Sequence, residues 1–180
     1  GSIVAIKGLQ TWKLQMKGKD EYELAKNLLT TTYKLKNEVI ILRNPFMSAS
    51  EMDNPPKESE FIDDIGIRYY QMYSGYRKRL ERFSKIDNEI IPLVITAEAL
   101  LGKNIKEKFD RLFGITRKVT VAIYMYIDSL HPRNQYSKGK SDIEQVRLIF
   151  GSDNDDIMKE LNTVLQEISD ELQPKIKLKN

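Results

Sequence analysis

Hydrophobic residues recur at three- and four-residue intervals over most of the chain, which is the period of an amphipathic α-helix. The first such stretch covers 20–43, with acidic residues at its start and Asn44-Pro45 after its end. Acidic side chains favour a helix N-terminus, and the residue before a proline is pushed out of the helical region. The pattern predicts a long helix, joined at Gly18 to a basic segment at 7–17 that is either a separate turn or continuous with it.

The same period predicts two more long helices in the middle of the chain, at about 60–101 and 103–130. Pro92 lies inside the first of them and is expected to kink or break it, because proline lacks the amide hydrogen and clashes with the preceding turn. Gly102 is a natural stop between the two helices.

In the last part of the chain, the pattern predicts a loop at 131–141, a short helical piece at 142–150 and a final helix. Ser152 or Asp153 is expected to cap the final helix, and Pro174 is expected to end it. The sequence contains no alternating strand pattern with hairpin turn signals. The predicted fold is therefore all-α, an antiparallel bundle of four to five main helices.

The length of 180 residues fits one domain, which we place at 20–180. Residues 1–19 form a separate segment, because Gly1-Ser2 resembles the remnant of a removed tag and a basic stretch follows it. Within the domain, the Ser-, Asn- and Pro-containing stretch 46–59 predicts a surface loop that is mobile.

Composition excludes several classes of function. With 41% hydrophobic and 31% charged residues, the chain can form both a core and a soluble surface, and the net charge of +3 is too small to indicate nucleic acid by itself. There is no cysteine, which excludes disulfides, thiolate metal sites and cysteine nucleophiles. His131, the single histidine, lies before Pro132 in a loop, where we expect it to be exposed.

Catalytic and metal-binding motifs are also missing from the sequence. The acidic run at 153–156 fails as an EF-hand loop, since its sixth residue is Met158 and its twelfth is Val164. There is no glycine-rich phosphate loop and no nucleophile elbow. We therefore expect no cofactor, no metal and no catalytic residue, and catalysis is disfavoured.

The segment 7–19 contains four lysines and one tryptophan but no acidic residue, and it follows the apolar run 3–6. Positive charge and an interfacial tryptophan after an apolar run are typical of the cytoplasmic flank of a membrane helix. We expect contacts with a membrane surface from Lys7, Trp12, Lys13, Lys17 and Lys19. The alternative is an ordinary basic helix that packs its apolar residues on the core.

A second basic region, at 66–85, has tyrosines interleaved with its charges. Cations and aromatic rings together bind nucleic acids, so the candidate contacts with an anionic ligand are Arg77, Lys78, Arg79 and Arg82. The alternative is structural, with the tyrosines in the core and the arginines paired with the acidic stretch 51–64. Likewise, the basic stretch 103–118 and the acidic stretch 152–172 are expected to neutralise each other as neighbouring helices.

Four short segments resemble one group of uncharacterised bacterial proteins: 17–25 (KGKDEYELA), 32–35 (TYKL), 42–46 (LRNPF) and 148–152 (LIFGS). Members of that group carry an N-terminal membrane segment, a basic linker and a helical cytosolic domain. The resemblance implies a membrane anchor before Ile3, although the sequence itself contains no run of about 20 apolar residues.

The function expected from these features is a non-enzymatic helical module on the cytoplasmic side of a bacterial inner membrane, which binds a protein partner or the membrane surface. The chain itself, without a spanning segment, is expected to be soluble. Nucleic-acid binding through the basic region at 68–85 is the alternative. Self-association into a homo-oligomer is left open.

Overall fold

A computed structural model describes residues 2–61, 63–134, 148–151 and 155–177, with side chains from residue 15 onward. In these ranges the chain forms four long helices and one short 3-10 turn, at Pro132–Asn134, and no strand. The helices are α1 (Ser2–Leu42), α2 (Asp64–Leu101), α3 (Lys103–Leu130) and α4 (Asp156–Ile176).

The four helices pack in a closed ring, in which α1 contacts α2, α2 contacts α3, α3 contacts α4 and α4 contacts α1. Neighbouring helices are antiparallel. Lys34 of α1 pairs with Glu89 of α2, whereas Ile41, later in α1, contacts Arg79, earlier in α2. The prediction of an all-α antiparallel bundle is confirmed, with four main helices.

The core lies along the axis of the ring and is built from the apolar stripes that the sequence predicts. Leu28, Leu35 and Val39 of α1 are fully buried, as are Ile123 of α3 and Leu161 of α4. Fully burying one such side chain stabilises the fold by about 2 kcal/mol. The bundle is therefore held mainly by side chains that the helical period already identifies.

The helix α1 continues through Gly18, so this residue does not act as a joint. A Cβ atom at Gly18 would meet no other atom within 4 Å, and the glycine is not needed for a close contact. Glycine costs a helix only about 1 kcal/mol relative to alanine. The alternative of one continuous helix is the one that the structure shows.

Pro92 lies inside α2, which is not broken there, and Pro174 lies inside α4, contrary to the prediction that it ends this helix. A proline inside a helix costs about 3 kcal/mol. In α2, Ile90 and Val94 are buried on either side of Pro92, and their burial outweighs that cost. Packing on the core thus overrides the local rule.

The start of α4 differs from the prediction as well. Its N-cap is Asp155, whose Oδ1 accepts a hydrogen bond from the backbone N–H of Met158 at 2.9 Å, so neither Ser152 nor Asp153 is the cap. The helical piece predicted at 142–150 and the loop predicted at 131–141 lie largely outside the described residues.

Candidate functional site

The basic segment belongs to the helix α1, and its described part faces water. Side chains 15–20 are all exposed, Lys17 and Lys19 among them. Lys17 lies 3.8 Å from Glu21, one helical turn away. The side chains of Lys7, Trp12 and Lys13 lie outside the described ones. Where side chains are described, the segment does not pack on the core.

The helix α1 extends well past the end of α4. Lys175, in the last turn of α4, pairs with Glu21 of α1 at 2.9 Å. The residues of α1 that precede Glu21 continue for about 28 Å, at 1.5 Å per residue. The basic segment is therefore a stretch of helix that projects beyond the end of α4.

The second basic region, on α2, faces carboxylates of the same chain. Three of its cations form ion pairs at the surface: Arg77 with Glu81 at 3.1 Å, Lys78 with Asp53 at 2.7 Å, and Arg82 with Glu51 at 3.4 Å and Glu38 at 3.5 Å. The structure thus shows the intramolecular pairing with the acidic stretch that was left open as the alternative.

Arg79, the fourth candidate in this region, lies inside the protein, and its side chain is only 2% exposed. Its Nε and Nη2 atoms donate to the two carboxylate oxygens of Glu51, at 2.8 and 3.0 Å. Its Nη1 atom donates to the carbonyls of Ile41 and Asn44, and Nη2 donates also to the carbonyl of Phe46, at 2.6–2.9 Å.

These five hydrogen bonds use all five N–H donors of the guanidinium. Arg79 is therefore not available to an anionic ligand, contrary to the prediction. Its role is to satisfy the carboxyl end of α1, which has no basic residue in its own last turn. The hydrogen bond from Arg79 is the main reason that the pKa of Glu51 falls from 4.5 to about 2.

The loop after α1 is held against α2 by this arginine and by its neighbours. The backbone N–H of Asp53 donates to Ser74 Oγ at 2.8 Å, and Gln71 Nε2 donates to Asn54 Oδ1 at 3.1 Å. The segment is thus anchored as far as Asn54. The mobility expected for 46–59 stays a prediction.

A second buried arginine, Arg43, was not singled out as a site from the sequence. Its side chain is 3% exposed and forms a two-pronged pair with Asp155, at 3.1 and 2.5 Å. Its Nε atom donates to the carbonyl of Leu148 at 2.9 Å. Arg43 therefore ties the end of α1 to the start of α4. The one signal in the sequence is that Arg43 and Leu148 each belong to a segment of the resemblance, at 42–46 and 148–152.

Asp155 has two roles at this junction, since it pairs with Arg43 and caps α4. Burial acts to raise its pKa, but the hydrogen bonds from Arg43 and from the Met158 backbone outweigh burial and lower the pKa. The junction also needs Gly151, because a Cβ atom there would lie 1.4 Å from Asp155 Oδ2 and 2.0 Å from Arg43 Nη2.

His131 is half-buried among aromatic rings, contrary to the expectation that it is exposed. Its ring lies 4.8 Å from Tyr69 and 5.8 Å from Phe61, centroid to centroid, and its Nδ1 atom accepts a hydrogen bond from the Arg133 backbone N–H at 3.2 Å. The histidine therefore packs at the end of α3 as a structural residue.

The tyrosines of α2 divide between the core and this aromatic cluster. Tyr76 is fully buried, 6.1 Å from Tyr126. Burial raises the pKa of Tyr76, and its hydroxyl has no hydrogen-bond partner among the described residues. Tyr69 stacks on Tyr73 at 6.1 Å. The structural alternative, which placed the tyrosines in the core, is therefore met in full only by Tyr76, and Tyr73 is exposed.

Ion pairs also join α3 to α4, which confirms that the basic stretch of one neutralises the acidic stretch of the other. The pairs are Lys108 with Glu171, Arg111 with Glu167 at 2.5 Å and Lys118 with Glu160 at 3.7 Å. Two surface regions that could have served as charged binding sites are therefore largely self-compensated.

Within the described ranges, no three histidine, aspartate or glutamate side chains are grouped so that they could hold a metal ion. No helix in those ranges is both long and apolar enough to cross a membrane. No protein-family model, curated protein or solved structure matches the chain significantly.

Proposed function

We propose that the protein is a non-enzymatic helical module at the cytoplasmic surface of a bacterial inner membrane, where the first part of α1 contacts anionic lipid headgroups. The observation that carries this proposal is the projection of α1 beyond the end of α4, with Lys17 and Lys19 exposed. A basic stretch of helix that projects past α4 can approach a charged surface.

The strength of this contact follows from the charge of the segment. Four lysines and no acidic residue lie between 7 and 19. Each lysine near an anionic leaflet contributes about 1 kcal/mol, and the attraction falls within a Debye length. Four such contacts orient and retain a tethered domain but give only weak binding to a free one. The module therefore fits a chain with a membrane anchor.

Vesicle co-sedimentation tests the proposal. We expect the protein to sediment with phosphatidylserine-containing vesicles, to be released by added salt, and not to sediment with phosphatidylcholine alone. Reversal of Lys7, Lys13, Lys17 and Lys19 to Glu should weaken binding at least tenfold. The matched control reverses four exposed lysines without an ion pair among the described residues: Lys26, Lys57, Lys85 and Lys103.

The two variants carry the same net charge. If only the Lys7, Lys13, Lys17 and Lys19 variant loses binding, the loss is due to the basic segment and not to the overall charge. Trp12 provides a second measurement, because it is the single tryptophan of the chain. Its emission should shift to shorter wavelength on vesicles, since the ring enters the interface. Equal binding by the two variants, without such a shift, would contradict the proposal.

Nucleic-acid binding remains the alternative function, but the geometry supports it less. Arg79 is buried, and Arg77, Lys78 and Arg82 would have to leave their carboxylate partners to reach phosphates. A labelled RNA that shifts at low salt, with affinity falling steeply as salt is added, would favour this alternative.

A further inference from the structure

The seam between α2 and α3 differs from the other three seams of the bundle. Ion pairs cross the α1–α2, α3–α4 and α1–α4 seams, for example Lys34–Glu89, Arg111–Glu167 and Arg43–Asp155. Among the described residues, no ion pair joins α2 to α3. Among the described residues, this seam is therefore the one that no ion pair bridges.

A groove with two cavities follows the α2–α3 seam. The first cavity, of about 510 Å³, is lined among others by Phe83, Asp87 and Ile91 of α2 and by Phe113 and Arg117 of α3. The second, of about 300 Å³, lies further along the same seam and is lined by Tyr73, Leu80 and Tyr124, with other residues. Both volumes are in the range that ligand sites occupy.

Apolar side chains at this groove face water: Tyr73, Ile91 and Tyr124 line the cavities, and Ile95 lies one helical turn beyond Ile91. Ile95 is 64% exposed and Tyr124 is 60% exposed, while Tyr73 and Ile91 are exposed to a smaller degree. Ile95 follows Ile91 by one helical turn, so the two lie on one face of α2. An apolar row of this length on a soluble surface is typical of a site that binds a partner.

Two charged side chains of the first cavity, Asp87 and Arg117, form no ion pair with any described residue. Asp87 is half-buried and forms no ion pair or hydrogen bond with any described residue, and burial raises its pKa. Arg117 lines the same cavity but is not within ion-pair distance of Asp87. Asp110, the other carboxylate of the cavity, pairs with Lys106. Because an unpaired, partly desolvated carboxylate is costly, it is satisfied best by a cation that enters from outside.

We propose that the α2–α3 groove binds an amphipathic helix of a partner protein, whose apolar face covers Tyr73, Tyr124, Ile91 and Ile95 and whose central lysine or arginine pairs with Asp87. The distance along α2 from Tyr73 to Ile95 is about 33 Å, which matches a helix of roughly 20 residues. Helix-in-groove recognition uses this arrangement of spaced apolar anchors, and the Asp87 carboxylate favours a cation at the position of the helix that faces it. The proposal does not depend on membrane contact.

A double-mutant cycle with a designed peptide tests this pairing. The probe is a fluorescein-labelled 20-residue amphipathic helix with a leucine face and one lysine at the centre of that face, and the reference peptide has glutamine there. We expect the lysine peptide to bind the wild-type protein about tenfold more tightly, as close charge pairs in interfaces do. In Asp87→Asn the two peptides should bind alike, whereas Asp110→Asn should keep the difference.

Two further variants locate the peptide. Ile95→Asp should abolish binding, and the matched change Ile40→Asp, at an exposed position on α1 outside both cavities, should not. Asp87→Asn should also raise the thermal midpoint at neutral pH, because it removes an unpaired carboxylate, and that rise shows the variant to be folded.

Several results would overturn the proposal. They are no binding of either peptide, equal binding of both peptides to the wild type, and an unchanged lysine preference in Asp87→Asn. Dimerisation of the protein that Ile95→Asp abolishes would show that a second copy, and not a partner helix, covers the groove.

Discussion

Arg79 and Glu51 form a two-pronged ion pair between the middle of α2 and the loop after α1, with both carboxylate oxygens within 3.0 Å of guanidinium nitrogens. The other donors of Arg79 hold the carbonyls at the carboxyl end of α1. One side chain thus fixes where the first helix ends and how the following loop packs on its neighbour.

Replacing Arg79 by Met should destabilise the protein by about 3–5 kcal/mol, because Glu51 then keeps only the exposed Arg82 as a cation and three carbonyls lose their guanidinium donors. Urea denaturation at pH 7 measures the effect. The matched control is Arg77→Met on the same helix, whose pair with Glu81 is exposed and should contribute less than about 1 kcal/mol. Similar losses in both variants would contradict this role of Arg79.

The stability supplied by Glu51 should depend on pH. Its pKa is lowered from 4.5 to about 2 in the folded protein, so its contribution is fully present above the unfolded value and is lost as pH falls toward 2. The difference in unfolding free energy between the wild type and Glu51→Gln should therefore be constant above about pH 5 and shrink below pH 4.5. A difference that stays constant down to pH 2 would show that the carboxylate charge contributes nothing.

Gly151→Ala should destabilise the protein by about 2 kcal/mol or more, because the added Cβ atom requires the space that the Arg43–Asp155 pair occupies. Arg43→Met should destabilise it as well. The double variant should lose less than the sum of the two, since both changes break the same pair. Denaturation of all three variants measures the coupling, and strict additivity would mean that Gly151 acts elsewhere.

Gly18→Ala should increase the helicity of α1, with a local gain of about 0.5–1 kcal/mol, because a side chain there has open space. Gly18→Pro should break the helix at the same point. Far-ultraviolet circular dichroism should therefore rank Ala above Gly and Gly above Pro. Identical spectra for the alanine and proline variants would contradict a continuous α1.

The helical fold could be predicted from the sequence because burial dominates it. The apolar period of α3, for example, extends over the whole helix, and its bounds at Lys103 and Leu130 were predicted correctly. Local signals were weaker guides. Pro92 and Pro174 were expected to interrupt or end helices, yet both lie inside helices whose apolar faces are buried.

The burial of Arg79 and Arg43 could not be predicted, because it depends on contacts between distant parts of the chain. In sequence, Arg79 looks like its neighbours Arg77 and Lys78, but its partners lie 28 to 38 positions earlier. Arg43 contacts Asp155, 112 positions later. A run of basic residues gives no sign of which member will be buried, since that depends on how α1 and α2 are aligned.

The continuity of α1 links the direction of the bundle to that of its basic segment. Each residue turns an α-helix by about 100°. The number of residues between Lys19 and Leu24 therefore sets the angle, about the axis of α1, between the lysines and each seam of the bundle. Two extra residues in α1 would swing the α2–α3 groove by about 200°, to the far side, and seven would return it almost to its place. The first helix therefore fixes one orientation of the groove relative to the basic segment.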